Sequence, residues 1–183
     1  MEIDTLNISE DFYSVQGEGN TSGVPAYFIR LKACNLMCGG KDGSLMKDGK
    51  ATWWCDTEYV WRKGLEKPFQ YLVDRWKEEN ILQWVMEGRV NLIWTGGEPT
   101  IPKNQKAICN FLDWFSVGTV YNEIETNGTL YINDKLFDHL NQILNLLLFC
   151  CDNLHMQKLK HKEPFLDYLK KMYSAYQDHL KMI

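Results

Sequence analysis

Short apolar segments alternate with longer stretches of helical periodicity along most of this 183-residue chain, and that alternation restricts its fold more than any other feature. Ala26–Lys32 (AYFIRLK) alternates apolar and polar residues and predicts a strand. In Pro68–Glu87, Phe69, Leu72, Val73, Trp76, Trp84 and Val85 recur at mostly helical spacing with charges between them. Val90–Trp94 (VNLIW) predicts a short apolar strand ending at Gly96-Gly97, and Lys103–Ser116 a helix. Thr119–Glu125 predicts a strand ending at Asn127-Gly128, Asp134–Asn141 a helix, Leu144–Cys150 a further strand, and Glu163–Leu180 an amphipathic closing helix. The expectation is about four strand–helix units in one α/β domain spanning residues 1–183, with a parallel sheet and helices outside it. In such sheets ligands gather at the carboxyl ends of the strands. Those ends hold Cys34, Thr95-Gly96-Gly97 and Glu125-Thr126-Asn127.

Hydrophobic residues make up 45% of the chain and charged residues 24%, ordinary values for a soluble globular protein. A formal net charge of -4 argues against a general phosphate-backbone binder, so no nucleic-acid partner is expected. The longest apolar run, Ile143–Cys151, is interrupted by Asn145 and too short to span a bilayer. The acidic start, MEIDTLNISED, lacks a signal-peptide layout. The expected location is the cytoplasm, away from membranes, where the six cysteines stay reduced.

Cys34 and Cys38 are separated by three residues and Cys55 follows after sixteen more, with a Gly- and Lys-rich loop, Gly39–Lys50, between them. Three thiolates suit three irons of a four-iron cluster, leaving one iron open to a small molecule. The same cysteines also read as buried apolar residues, or as a zinc site lacking a nearby fourth ligand, since no His precedes His139. Cys109, Cys150 and Cys151 read as core residues.

Cys34-Asn-Leu-Met-Cys38 with Trp54-Cys55 resembles the three-cysteine signature of radical S-adenosylmethionine (SAM) enzymes, apart from the insertion Gly39–Trp53 before the last cysteine. Phe12-Tyr-Ser-Val-Gln-Gly-Glu-Gly19 and Gly23-Val-Pro-Ala-Tyr-Phe-Ile-Arg-Leu31 are similar to the start of the 7-carboxy-7-deazaguanine synthases of the queuosine pathway. That family is known to carry insertions in this loop. Trp54-Cys55-Asp56-Thr57, Thr95-Gly-Gly-Glu-Pro99 and Ile124-Glu-Thr-Asn-Gly-Thr129 extend the likeness to roughly residues 8–130.

The resemblance implies a partial (incomplete) TIM-like barrel of the radical SAM type. It implies a 4Fe-4S cluster on Cys34, Cys38 and Cys55, and Mg2+ at Thr57, whose hydroxyl also reads as a helix cap. SAM would meet Trp54, Asp56, Gly96, Gly97, Glu98, Glu125 and Asn127, although Asn127-Gly128 and Gly96-Gly97 also read as plain turns. Substrate would meet Val15, Gln16, Gly17, Glu18, Arg30 and Thr95, although Gln16–Gly19 also reads as a turn and Arg30 as a surface charge. The implied reaction is radical conversion of 6-carboxy-5,6,7,8-tetrahydropterin to 7-carboxy-7-deazaguanine with loss of ammonia. The implied partners are that pterin, a flavodoxin- or ferredoxin-like electron donor and a second copy of the chain. After about residue 130 the likeness fades. Where the family has Ser-Pro-Lys this chain reads Phe149-Cys150-Cys151-Asp152-Asn153, and a compact, C-terminally shortened variant is expected, with Lys158, Lys160 and His161 or the dimer partner as replacements. A small glycyl-radical activase and a catalytically lapsed paralogue stay open as alternatives.

Overall fold

The computed structural model describes residues 4–51, 54–116, 118–140 and 142–145. Within them run β1 (Thr5–Val15), β2 (Pro25–Leu31), α1 (Ser44–Lys47), α2 (Glu58–Trp61), β3 (Leu65–Pro68), α3 (Gln70–Glu78), α4 (Leu82–Met86), β4 (Asn91–Gly96), α5 (Pro102–Trp114), β5 (Asn122–Thr126), α6 (Asp134–His139) and β6 (Gln142–Asn145). The sheet has the order β3-β1-β2-β4-β5-β6. β2, β4, β5 and β6 run parallel, while β1 lies antiparallel to both β2 and β3. The fold is α/β with a mixed, open sheet, rather than the wholly parallel one expected from the strand–helix alternation.

β1 escapes the sequence pattern for a physical reason. Its register against β2 shifts between Ile8 and Glu10, so a bulge moves the inward phase partway along the strand. Leu6 and Ile8 face the helices before the bulge, and Asp11 faces them after it, bonded to Tyr71 and Arg75 of α3. No single alternation runs through the strand. The long helix expected over Pro68–Glu87 is likewise corrected. Pro68 ends β3, and the rest breaks into α3 and α4 at Asn80, whose φ is 59°. The Ile81 N–H closes onto Trp76 O at 2.9 Å, a helix stop with Asn in the left-handed position.

One sheet face packs on helices. Tyr27, Ile29, Leu31, Leu92, Trp94 and Ile124 meet Leu72 and Trp76 of α3, Ile108 and Phe111 of α5, and Leu136 of α6 in one buried cluster. Trp94 and Trp76 both meet Phe111, at ring separations of 5.5 and 6.1 Å. α5 starts with Pro102, whose missing N–H costs nothing in a first turn. α6 is capped by the Asn133 side chain, which accepts from the Leu136 N–H at 2.9 Å.

The opposite face carries a small apolar patch, Phe12, Ala26, Phe28 and Ile93. It also carries polar residues of the same strand phase: Arg30, Asn91, Thr95, Glu123 and Glu125. This face curls. Gln16 continues β1 beside Val24, whereas Glu125 lies level with Thr95 and Arg30. A flat sheet would separate them by about six residues along the strands (~20 Å) and three strand spacings (~14 Å). Yet Gln16 Nε2 donates to Glu125 Oε1 at 3.2 Å, so the sheet bends strongly toward this side.

Among the described residues no helix is long and apolar enough to cross a membrane. The strand expected at Leu144–Cys150 is met only in β6, which starts earlier, at Gln142. The rest of it, the Phe149–Asn153 stretch, Lys158, Lys160, His161 and the helix expected at Glu163–Leu180 lie outside the described residues.

Candidate functional site

The cysteine loop leaves the end of β2 through Ala33, which takes a φ of 75°. Its base is held on three sides. Glu98 N–H donates to Ala33 O at 2.8 Å, Ala33 N–H to Trp61 O at 3.2 Å, and Asn104 Nδ2 to Lys32 O at 3.1 Å. Gly97 fits against this base because it has no side chain: a Cβ there would stand 1.9 Å from Ala33 O. The Gly96-Gly97 pair is thus more than a strand-end turn. Its second glycine is what lets β4 and the cysteine loop touch.

Cys34, Cys38 and Cys55 form no disulfide and are of intermediate exposure, while Cys109 is buried in α5 as expected of a core residue. Cys55 N–H donates to Cys38 O at 3.2 Å, so the two ends of the insertion meet. Between them the expected loop contains a short 3-10 turn, Lys41–Gly43, and α1. Trp54 lies on Gly43, where a Cβ would meet its ring at 1.9 Å. Cys34 Sγ accepts from Leu36 N–H at 3.4 Å and from Asn127 Nδ2 at 3.8 Å. Burial pushes the Cys34 thiol above its ordinary range, and the neighbouring Glu98 and Cys55 push the same way against the Leu36 and Asn127 bonds. Cys55 Sγ accepts from Trp61 Nε1–H at 3.5 Å and lies 3.5 Å from Thr57 Oγ1.

Among the described residues no three His, Cys, Asp or Glu side chains converge closely enough to hold one metal ion. A tetrahedral zinc site needs such convergence, whereas a four-iron cluster takes each cysteine on a different iron. Three thiol donors on one loop have the chemistry such a cluster requires. Thr57 precedes α2 without its side chain capping that helix, so its hydroxyl is not committed to the helix end.

Glu98 is fully buried at the turn after β4. Its carboxylate accepts from Thr100 N–H at 2.8 Å, Thr126 Oγ1 at 2.7 Å, Asn127 N–H at 2.7 Å and the Thr100 hydroxyl. The side chain expected to meet SAM is instead placed inside the protein, joining the ends of β4 and β5. Asn127 shapes its own turn, accepting from Thr129 N–H at 3.0 Å, and donates to Asn35 Oδ1 at 2.9 Å, next to Cys34.

Four residues expected to meet substrate, Gln16, Glu18, Arg30 and Thr95, gather on the curled face around Glu125, which the resemblance had assigned to SAM. Gln16, only 2% exposed, donates to Glu125 and accepts from Glu18 N–H at 3.3 Å. Thr95 also bonds Glu125, with Arg30 and Glu18 near enough to act on its charge. Burial raises the Glu125 carboxyl above its ordinary value, Glu18 raises it further, and Thr95, Gln16 and Arg30 oppose the shift. Arg30 Nε lies 3.1 Å from Glu10 Oε2 without hydrogen-bond alignment, and its guanidinium sits 5.7 Å from the Phe12 ring centre. A Cβ on Gly17 would meet nothing within 4 Å, so open space borders this turn. Val15 and Asp56 are exposed.

Sequence reasoning missed Trp61, Asn35, Thr100 and the inner pair Asn91–Glu123. Asn91 Nδ2 donates to Glu123 Oε1 at 2.7 Å, while the buried Glu123 Oε2 has no hydrogen-bond partner. The wrong-phase acid Glu123, on the same strand face as Glu125, was the available signal for that pair. Trp61 gave none.

No family model matches the chain. A 7-carboxy-7-deazaguanine synthase from Thermoplasma acidophilum is 33% identical over 130 residues, covering 71% of this chain and 50% of that protein. Proteins of the same name from Haemophilus influenzae and Aquifex aeolicus are 38% and 32% identical over 125 and 137 residues, covering 67% and 73% of this chain and 46% and 50% of theirs. A crystal structure of QueE from Escherichia coli aligns with 76% of this chain and 69% of its own at 21% identity and a TM-score of 0.49. The chain spans about half the length of the curated relatives it matches. Over about two thirds of its own length the chain is thus similar in sequence to the 7-carboxy-7-deazaguanine synthases.

Proposed function

We propose that this chain is a radical SAM carbon–nitrogen lyase that converts 6-carboxy-5,6,7,8-tetrahydropterin to 7-carboxy-7-deazaguanine with loss of ammonia. The observation that carries the reading is the meeting of Gln16, Thr95 and Glu125, with Arg30 and Glu18 beside them, on the curled sheet face at the strand ends that also bear the cysteine loop. That curl supports a partial barrel in which substrate lies over the strand ends.

A 4Fe-4S cluster on Cys34, Cys38 and Cys55, when bound with SAM, supplies the radical chemistry. The chain's own residues bind and orient. Arg30 offers a guanidinium fork to the substrate carboxylate in exchange for its loose pairing with Glu10. Gln16 and Glu125 supply donor and acceptor atoms to the amide edge of the ring. Thr57 offers a hydroxyl oxygen, a hard ligand suited to Mg2+. Gly17 leaves room for a flat heterocycle to approach the backbone. Trp54, Asp56, Gly96, Gly97, Asn127 and Val15 complete the rim, with Glu98 acting from beneath it. A single domain, a homodimer, a flavodoxin- or ferredoxin-like electron donor and a cytoplasmic setting belong to the same reading.

The test is anaerobic reconstitution of the full chain with iron and sulfide, followed by SAM, dithionite and the carboxytetrahydropterin. The expected result is a brown protein that forms carboxydeazaguanine, detected by mass spectrometry. SAM cleavage without that product would point to a different radical SAM activity. Uptake of zinc in place of iron would overturn the reading.

A further inference from the structure

Trp61 ends α2, outside every motif that singled out the cysteines. Its side chain is 8% exposed, and its indole Nε1–H donates to Cys55 Sγ at 3.5 Å. Its carbonyl accepts the Ala33 N–H at 3.2 Å, so one residue is bonded both to Cys55 and to the backbone beside Cys34. The Arg62 guanidinium covers the indole at 5.4 Å from the ring centre, which helps fix the ring plane. Another side-chain N–H aimed at a cysteine of this set, Asn127 Nδ2 on Cys34, is longer at 3.8 Å and is shared with Asn35.

Resting on the reading that Cys55 ligates a four-iron cluster, we propose that Trp61 is a positioning residue whose indole N–H bonds the Cys55 sulfur and raises the reduction potential of that cluster. Reduction places added negative charge partly on the ligating sulfurs. A donor fixed on one of them therefore stabilises the reduced form more than the oxidised form. The indole end of the bond is buried while Cys55 is half-exposed, so water screens the bond only in part. Trp61 touches the ligand and not the reacting atoms.

The test uses the full chain, reconstituted anaerobically, with Trp61→Phe compared to wild type. The readouts are iron and sulfide content and a redox titration followed by electron paramagnetic resonance. Trp61→Phe keeps an aromatic ring and removes the donor. The expected result is unchanged iron content with about a tenfold smaller ratio of reduced to oxidised cluster at a fixed potential, equivalent to a fall of about 59 mV for one electron. If Trp61→Phe loses iron or fails to fold, site-specific replacement of Trp61 by benzothienylalanine, which keeps the indole shape with sulfur in place of N–H, decides the matter. Trp84→Phe, on the exposed side of α4, is the control and is expected to titrate as wild type. Equal potentials in a fully loaded donor-less protein and wild type would overturn the proposal while leaving the cluster intact. A wild type that takes up no iron would overturn the cluster reading, and the role of Trp61 with it.

Discussion

The Glu98 carboxylate accepts the Asn127 backbone N–H at 2.7 Å, so a fully buried acid at the end of β4 holds the turn that follows β5. The same carboxylate bonds Thr100 and Thr126. Glu98→Ala strands those donors in a dry interior and is expected to cost about 3 kcal/mol or more. Glu98→Gln keeps the size but turns an NH2 group toward other donors, with an expected cost of about 1–2 kcal/mol. Urea unfolding of the metal-free protein measures both. A Glu98→Ala protein as stable as wild type would show that the network does not hold the rim.

Two glycines are expected to answer in opposite ways. Gly97→Ala drives a Cβ into Ala33 O and onto the start of the cysteine loop. It should lower both the melting temperature and the iron taken up on reconstitution. Gly17→Ala meets no protein atom within 4 Å and does not sit at positive φ, so stability and iron content should match wild type. If the heterocycle approaches this turn, Gly17→Ala should raise KM for the pterin with iron content unchanged. Iron loss in Gly17→Ala and none in Gly97→Ala would reverse the assignment of the two glycines.

The parallel half of the sheet was legible because β2 and β4 carry the phase and apolar content that such strands require. The motifs singled out Gln16, Arg30, Thr95 and Glu125, and the curled face brings these four together. β1 was hidden by its bulge, and Asn80 divided a helix that periodicity alone had joined. Glu98 illustrates a different limit. A motif marks a position as needed without saying whether its side chain faces the ligand or braces the backbone that does. Trp61 was invisible because its link to Cys55 depends on how α2 packs, and spacing along the chain does not encode that.

Asp11, beyond the bulge of β1, accepts from Tyr27, from Tyr71 at 2.8 Å and from Arg75 Nε at 3.2 Å, tying β1 and β2 to α3. Burial, then the Asp11 bond and charge, push the Tyr71 phenol up to about 12. Asp11→Ala leaves the Tyr27 and Tyr71 hydroxyls without their acceptor, while Arg75 keeps Glu78 and Glu79, at an expected cost of about 2 kcal/mol. Tyr71 should also ionise at lower pH in the variant, seen as an earlier tyrosinate absorbance rise in alkaline titration. An unchanged midpoint in urea would mean that the antiparallel wing is held by its strand pairing alone.

Glu125 gives the pH-dependent prediction. Its carboxyl is raised above the ordinary 4.5, first by burial and then by Glu18. Between 4.5 and the raised value the folded protein keeps a proton that the unfolded chain releases. Stability therefore falls as pH rises through that window, and the penalty is present above it. Glu125→Gln removes the charge and retains an oxygen able to accept from Gln16 Nε2. The metal-free variant is expected to melt a few degrees above wild type at pH 7.5, with the gap closing by pH 4, where both side chains are neutral. Such a gain is what a residue kept for binding rather than for stability should show. The same variant should bind the pterin more weakly, because its amide presents N–H where the ring edge also presents N–H. A gain in melting temperature that persists at pH 4 would assign the effect to packing, and charge at Glu125 would then have no part in it.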